Sequence, residues 1–227
     1  MAWIEDFRER QRGRFGPVLI ATFGTIVVIA TAPETRWSAI ALVVMQGGTL
    51  WLAFVAAGVT RRLVEIGLGV WIVAAIVTGF AASGGGGGAI VPIVSLVLIS
   101  SAAGAILRSL VERGRITMSS VGGVLAVYLL IGLFFTYVYA TIGAIGDTPP
   151  LRGQGPITLS AQLYFSYITM ATVGFGDLVP ATDLVRGVTI VEALIGQLYL
   201  VSVVALVVGN LGRETGGRQR PSDDGAT

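Results

Sequence analysis

The chain has 227 residues, of which 54% are hydrophobic and only 12% charged. That balance leaves too little polar surface for a soluble domain of this size and points to an integral membrane protein. The absence of Cys and His removes disulfides, thiolate zinc sites, haem ligation and imidazole catalysis together, and a net charge of +2 on dispersed Arg gives no nucleic-acid footprint.

Residues 1–14 mix Glu5, Asp6 and Glu9 with Arg8, Arg10, Arg12 and Arg14, and no A-x-A-like cleavage site comes after the first apolar run. This is not a secretory signal; Trp3, Ile4 and Phe7 share one helical face and suggest a short cytoplasmic helix on the inner membrane surface. A spanning helix needs about 20 mostly apolar residues. Six segments qualify: Phe15–Ala32, Trp37–Thr60, Leu63–Ala82, Ala89–Leu107, Ser119–Ile145 and Leu184–Val208. Ser83 and Gly84–Gly88 join the third and fourth; without a GK[ST] ending they read as a flexible linker rather than a phosphate cradle.

Between the fifth and sixth segments, residues 146–183 are too few to span twice as helices. Irregular backbone at membrane depth must be buried in protein or line a cavity, so a re-entrant loop is expected. The expected fold is therefore all-α, with six transmembrane helices and a re-entrant helix and loop between helices five and six. Six spans place Arg8, Arg10, Arg12, Arg14, Arg61, Arg62, Arg108, Arg113, Arg115, Arg213, Arg218 and Arg220 on one side, against Arg36, Arg152 and Arg186 on the other. The positive-inside rule then makes both termini cytoplasmic and brings the loop in from outside.

Thr158–Ala171 reads as a short helix, capped by Thr158 or Ser160, whose negative C-terminal end favours a cation beyond it. The next residues are Thr172-Val173-Gly174-Phe175-Gly176-Asp177. Tyr164, Phe165 and Tyr167 suit an aromatic cuff around this run, with an interfacial aromatic belt as the plainer role. Consecutive carbonyls can face one axis only if the backbone alternates between ordinary and left-handed angles, which Gly174 and Gly176 permit at little cost. Val173 and Phe175 would point away from the axis into surrounding protein. The carbonyls of Thr172, Val173, Gly174 and Phe175, with the Thr172 hydroxyl, could then replace the water shell of a metal ion without committing full charges, and Asp177 would stand at the outer mouth.

Thr169–Pro180 resembles the signature of tetrameric potassium channels, usually TxxTVGYGD, with Phe175 where Tyr is common. GFG variants occur in that family, so the resemblance implies a kept filter that lacks the aromatic hydroxyl contact. It continues into the sixth span, where Arg186 and Gly196 fall at the Arg and inner-helix hinge Gly of simple bacterial two-helix channels; at motif level it covers Ser119–Leu211. It implies a pore-forming subunit of a potassium-selective homotetramer in a prokaryotic plasma membrane, surrounded by lipid. No cofactor is expected beyond permeant K+, bound by Thr172, Val173, Gly174 and Phe175. The implied domains are a cytoplasmic segment 1–14, a four-helix transmembrane domain 15–112, a pore domain 119–211 and a cytoplasmic tail 212–227.

By position, Gly196 would be a bending point, with close helix packing the equal alternative. Gln197, Leu200 and Val204 would line the cavity below the filter. Glu192 lies deep in an apolar run, where an ionised carboxylate is expensive; it is expected to support the filter by hydrogen bonding to Thr169, Tyr167 or loop backbone. Ala89–Leu107 carries no charge, unlike the Arg-studded fourth span of voltage-gated relatives. The short polar tail after Arg213 is expected to be disordered and offers no ligand domain. A leak, filter gating, lipid or tension sensing, or a partner protein therefore remain as means of opening. A weakly selective cation channel and a non-conducting accessory subunit are the alternatives; no catalytic set supports an enzyme.

Overall fold

A computed structural model describes residues 15–33, 35–81, 88–113 and 118–216. The amphipathic N-terminal segment, most of the Gly linker and the end of the C-terminal tail lie outside the described residues. Within them, seven helices run in chain order: α1 (Gly16–Thr31), α2 (Arg36–Ala57), α3 (Arg61–Ala81), α4 (Ile90–Arg113), α5 (Met118–Ile145), α6 (Leu159–Met170) and α7 (Asp183–Gly216). Local chemistry sets several boundaries. Thr35 and Ser38 form a reciprocal capping box at the start of α2, and Gly58, at φ 70°, closes its end. Thr158 accepts from the Ala161 N–H at 3.1 Å and caps α6. Ser160, the other candidate cap, instead donates to the Ala30 carbonyl on α1.

Each of the six apolar segments holds one helix. Among the described residues, four helices are long and apolar enough to cross a bilayer: Trp37–Ala57, Ile90–Glu112, Val121–Ile145 and Asp183–Val203. Gly16–Thr31 and Val64–Thr78 are shorter apolar stretches. With the composition, these helices make the chain a membrane protein.

Two expectations need correction. The fold is not purely helical: Leu151–Gly153 (β1) pairs antiparallel with Leu178–Pro180 (β2). Pro149-Pro150 and Gly155 keep this stretch out of a helix, and pairing satisfies its backbone groups. Second, α7 runs to Gly216, so the segment from Arg213 to Gly216 is helix rather than disordered tail. Arg213 and Glu214 are good helix formers, and Pro221 is the first Pro that could stop the helix.

The larger core joins α1, α2, α4 and α5 through Phe15, Val18, Leu50, Ala53, Leu98, Ile106, Val127 and Leu130. A smaller cluster of Phe135, Tyr139, Leu151, Phe165 and Val185 joins α5, β1, α6 and the start of α7. It fixes α6, and the loop after it, against α5. Of the four helices long enough to cross a bilayer, α7 is the least buried: Leu184, Ile190, Leu194, Leu198 and Val201 are each more than half exposed.

Candidate functional site

The site is the loop from α6 to β2, and its backbone is the unusual part. Thr172, Gly174 and Gly176 have φ of 57°, 50° and 79°, whereas Val173 and Phe175 between them do not. Every second residue is thus left-handed over five positions. Glycine adopts this freely, but a β-branched Thr does not. Strain of this kind persists where surrounding structure enforces it, and it concentrates at functional sites.

The enforcing contacts come from α6. The Val173 and Gly174 N–H groups both donate to the Ile168 carbonyl, at 2.9 and 3.2 Å, and the Thr172 N–H donates to Thr169 O at 3.0 Å. The donors of the loop therefore face its own helix. Among the described residues no backbone N–H outside the helices and strands is donated to the carbonyls of residues 172–175. Phe175 stacks on Tyr164 with centroids 6.5 Å apart and planes 3° from parallel. The Tyr164 phenol interacts electrostatically with Asp177. Within one chain, Val173 and Phe175 are still 51% and 70% exposed. The β1–β2 ribbon and the Ala181 N–H, donated to Pro150 O at 2.9 Å, hold the far end of the loop.

Behind α6, the residues singled out by sequence divide. Tyr167 donates to the Leu129 carbonyl of α5 at 2.6 Å, and its ring lies where a side chain on Gly132 would be. Glu192 is fully buried and does face α6, but its partners are not Tyr167 or Thr169. Its two oxygens lie 2.5 Å from the hydroxyls of Ser166 and Tyr139. Ser166 lies on the strip of α6 turned to α7, one turn before Met170, which packs on Gly196, whereas Tyr167 is turned to α5 and bonds the Leu129 carbonyl. Sequence reasoning passed over Ser166, Tyr139 and Ile168. The signal for the two hydroxyls was available, since a lone carboxylate in an apolar span requires donors on the helices it meets.

Gly196 is a close-packing position. A Cβ there would come within 3.2 Å of the Met170 backbone, and α7 is continuous helix through it. Gln197 and Leu200 are exposed on α7; the side chain of Val204 lies outside the described residues.

A comparison with known protein families matches this part of the chain. Residues 123–213 match the family model described as "Ion channel". This stretch carries an ion channel domain. The inward rectifier potassium channel Kirbac3.1 of Paramagnetospirillum magnetotacticum is 30% identical over 90 residues, covering 40% of this chain and 29% of that protein. The chain thus matches less than a third of that relative's length. No solved structure matches the chain.

Proposed function

We propose that the chain is the pore-forming subunit of a potassium-selective channel, four copies of which surround a common axis lined by the Thr172–Asp177 loop. One observation carries this reading. The backbone alternates through Thr172, Gly174 and Gly176 while the loop N–H groups turn back onto Ile168, leaving consecutive carbonyls free to face an ion. Rings of such oxygens offset dehydration of a monovalent cation yet let it leave. The C-terminus of α6 adds the negative end of a helix dipole. K+ is the permeant ion, and no other cofactor is required. The potassium channel named above, similar over 90 residues, supports the choice of ion.

Four copies are needed because one loop supplies only one side of each ring, and closed symmetry completes it. The exposed faces of Val173, Phe175 and α7 suit contact with sister subunits. Six helices cross the plasma membrane with both termini cytoplasmic, α6 and its loop entering from outside; the twelve-to-three Arg asymmetry supports that orientation. Lipid faces the outer helices. Gln197 and Leu200, exposed on α7, line the cavity beneath the loop. The α4 segment from Ile90 to Leu107 is uncharged, and Arg108, at its cytoplasmic end, pairs in the open with Glu112. Conventional voltage sensing is therefore not part of the proposal, and a gating charge of several elementary charges per tetramer would contradict it.

Full-length protein reconstituted in vesicles tests the reading. Potassium uptake driven by a gradient should be cation-specific, and Gly174→Ala should remove it while the assembled protein still purifies. Vesicles that stay impermeable to potassium, or an unaffected Gly174→Ala variant, would overturn it.

A further inference from the structure

We propose that Glu192 is held as a neutral carboxylic acid, and that its proton closes a ring of hydrogen bonds fastening α6 to both α5 and α7. The consequence for conduction rests on the channel function proposed above; the proton itself does not.

Protons are the scarce quantity in this network. The Ser166 hydroxyl lies 2.9 Å from the Gly132 carbonyl and 2.5 Å from Glu192 Oε1. A carbonyl only accepts, so the contact with Gly132 takes the one proton Ser166 has. The contact with Glu192 then needs a second proton, and only the carboxyl can supply it. On the other side, Tyr139 donates to Glu192 Oε2 at 2.5 Å and also lies 3.1 Å from Thr189 Oγ1, while Thr189 gives its proton to the Val185 carbonyl at 2.8 Å. An ionised Glu192 leaves three hydroxyl protons for these five contacts, whereas a neutral one makes four protons available. The contact left over is then the longest, between Tyr139 and Thr189.

Charge leads to the same conclusion. Ser166, Glu192 and Tyr139 are each 0% exposed within a single chain, so subunit assembly does not bring water to them. The titratable groups that face Glu192 are phenols, Tyr139 from α5 and Tyr167 from α6. On its own helix, Arg186 is exposed and already paired with Asp183 at 2.7 Å. No cation among the described residues forms an ion pair with this carboxyl, and a lone buried charge in an apolar span is costly.

With the proton in place, the donors run in one direction: Tyr139 of α5 to Glu192 of α7, Glu192 to Ser166 of α6, and Ser166 back to Gly132 of α5. Removing the proton turns the Ser166 hydroxyl toward the carboxylate and releases Gly132. That frees α6 two residues before Ile168, whose carbonyl anchors the N–H groups of Val173 and Gly174. Glu192 is thus a positioning residue that acts on the loop through Ser166. The intact ring needs the acid form, so conduction falls as pH rises far enough to ionise Glu192, and returns on acidification.

The test uses the full chain in vesicles and compares wild type with Glu192→Gln and Glu192→Val. Infrared spectra over a pH titration should show a protonated-carboxyl carbonyl band near neutral pH that is absent from Glu192→Gln. A Gln amide donates on one side and accepts on the other, so Glu192→Gln should keep potassium flux within about twofold and lose the alkaline fall, whereas Glu192→Val should lower flux about tenfold. Absence of the carboxyl band at neutral pH, or a Gln variant as impaired as the Val variant, would overturn the proposal. If no vesicle passes potassium, the channel reading falls and the infrared band alone decides the proton.

Discussion

The two halves of this molecule handle buried polar groups differently. In α1 and α2, buried hydroxyls bond within their own helix, four residues back: Thr22 to Val18 O, Thr25 to Ala21 O, Thr49 to Met45 O. Such bonds say nothing about where the next helix sits. In α5, α6 and α7 some hydroxyls do the same, as Thr136 to Gly132 O and Thr189 to Val185 O, but others reach across: Tyr139 to Glu192, Ser166 to Gly132, Tyr167 to Leu129 O, Tyr199 to Val124 O. The first half is held together chiefly by apolar packing, which tolerates shifts and volume-conserving change, with Trp71 of α3 donating to the Val43 carbonyl of α2 at 2.9 Å. The second is pinned by directional bonds around the loop whose geometry matters most. Gln46, donating to the Tyr137 hydroxyl at 2.6 Å, is a polar link between the two.

Substitutions can break or sharpen that contrast. The largest expected effect is at the loop itself: Gly174 has φ 50°, where a side chain costs about 1–2 kcal/mol per copy, so Gly174→Ala should reduce potassium flux by at least about a hundredfold. Next is Gly132→Ala, whose new methyl would meet the Tyr167 ring at about 2.6 Å; it should destabilise the purified protein by about 1–3 kcal/mol in a thermal or denaturant unfolding series. Tyr167→Phe and Tyr199→Phe each remove one cross-helix bond and should cost about 1 kcal/mol in the same series. The smallest effect belongs to the first half. Thr22→Val removes only an intrahelical bond and should shift stability by less than about 0.5 kcal/mol. If Thr22→Val proves as damaging as Tyr167→Phe, the contrast between the halves fails.

Legibility in the sequence divides along similar lines. Features carried by contiguous residues could be read: the six apolar segments, the short helix capped by Thr158, and the alternating backbone that Gly174 and Gly176 imply. Thr172 in a left-handed conformation could not, because nothing in a Thr asks for it; Ile168 and Thr169 impose it through the backbone. Glu192 announced itself as a carboxylate in an apolar span, but Tyr139 lies 53 positions away in a helix where an aromatic residue reads as core. The three-residue strands β1 and β2 are too short for any periodicity and exist because they pair with one another. Gly196 left bending and packing equally open, and Met170 lies against it. The side-chain contacts the sequence missed, from Glu192 to Tyr139 and Ser166 and from Gly196 to Met170, form only after the helices have met.

The central claim is that backbone oxygens of the Thr172–Phe175 loop select potassium. Reversal potential across a bilayer containing the full-length protein, with potassium on one side and sodium on the other, tests it most directly. A potential close to that of a membrane permeable to potassium alone is the predicted result. A potential near zero, or no current under any ionic condition, would contradict it.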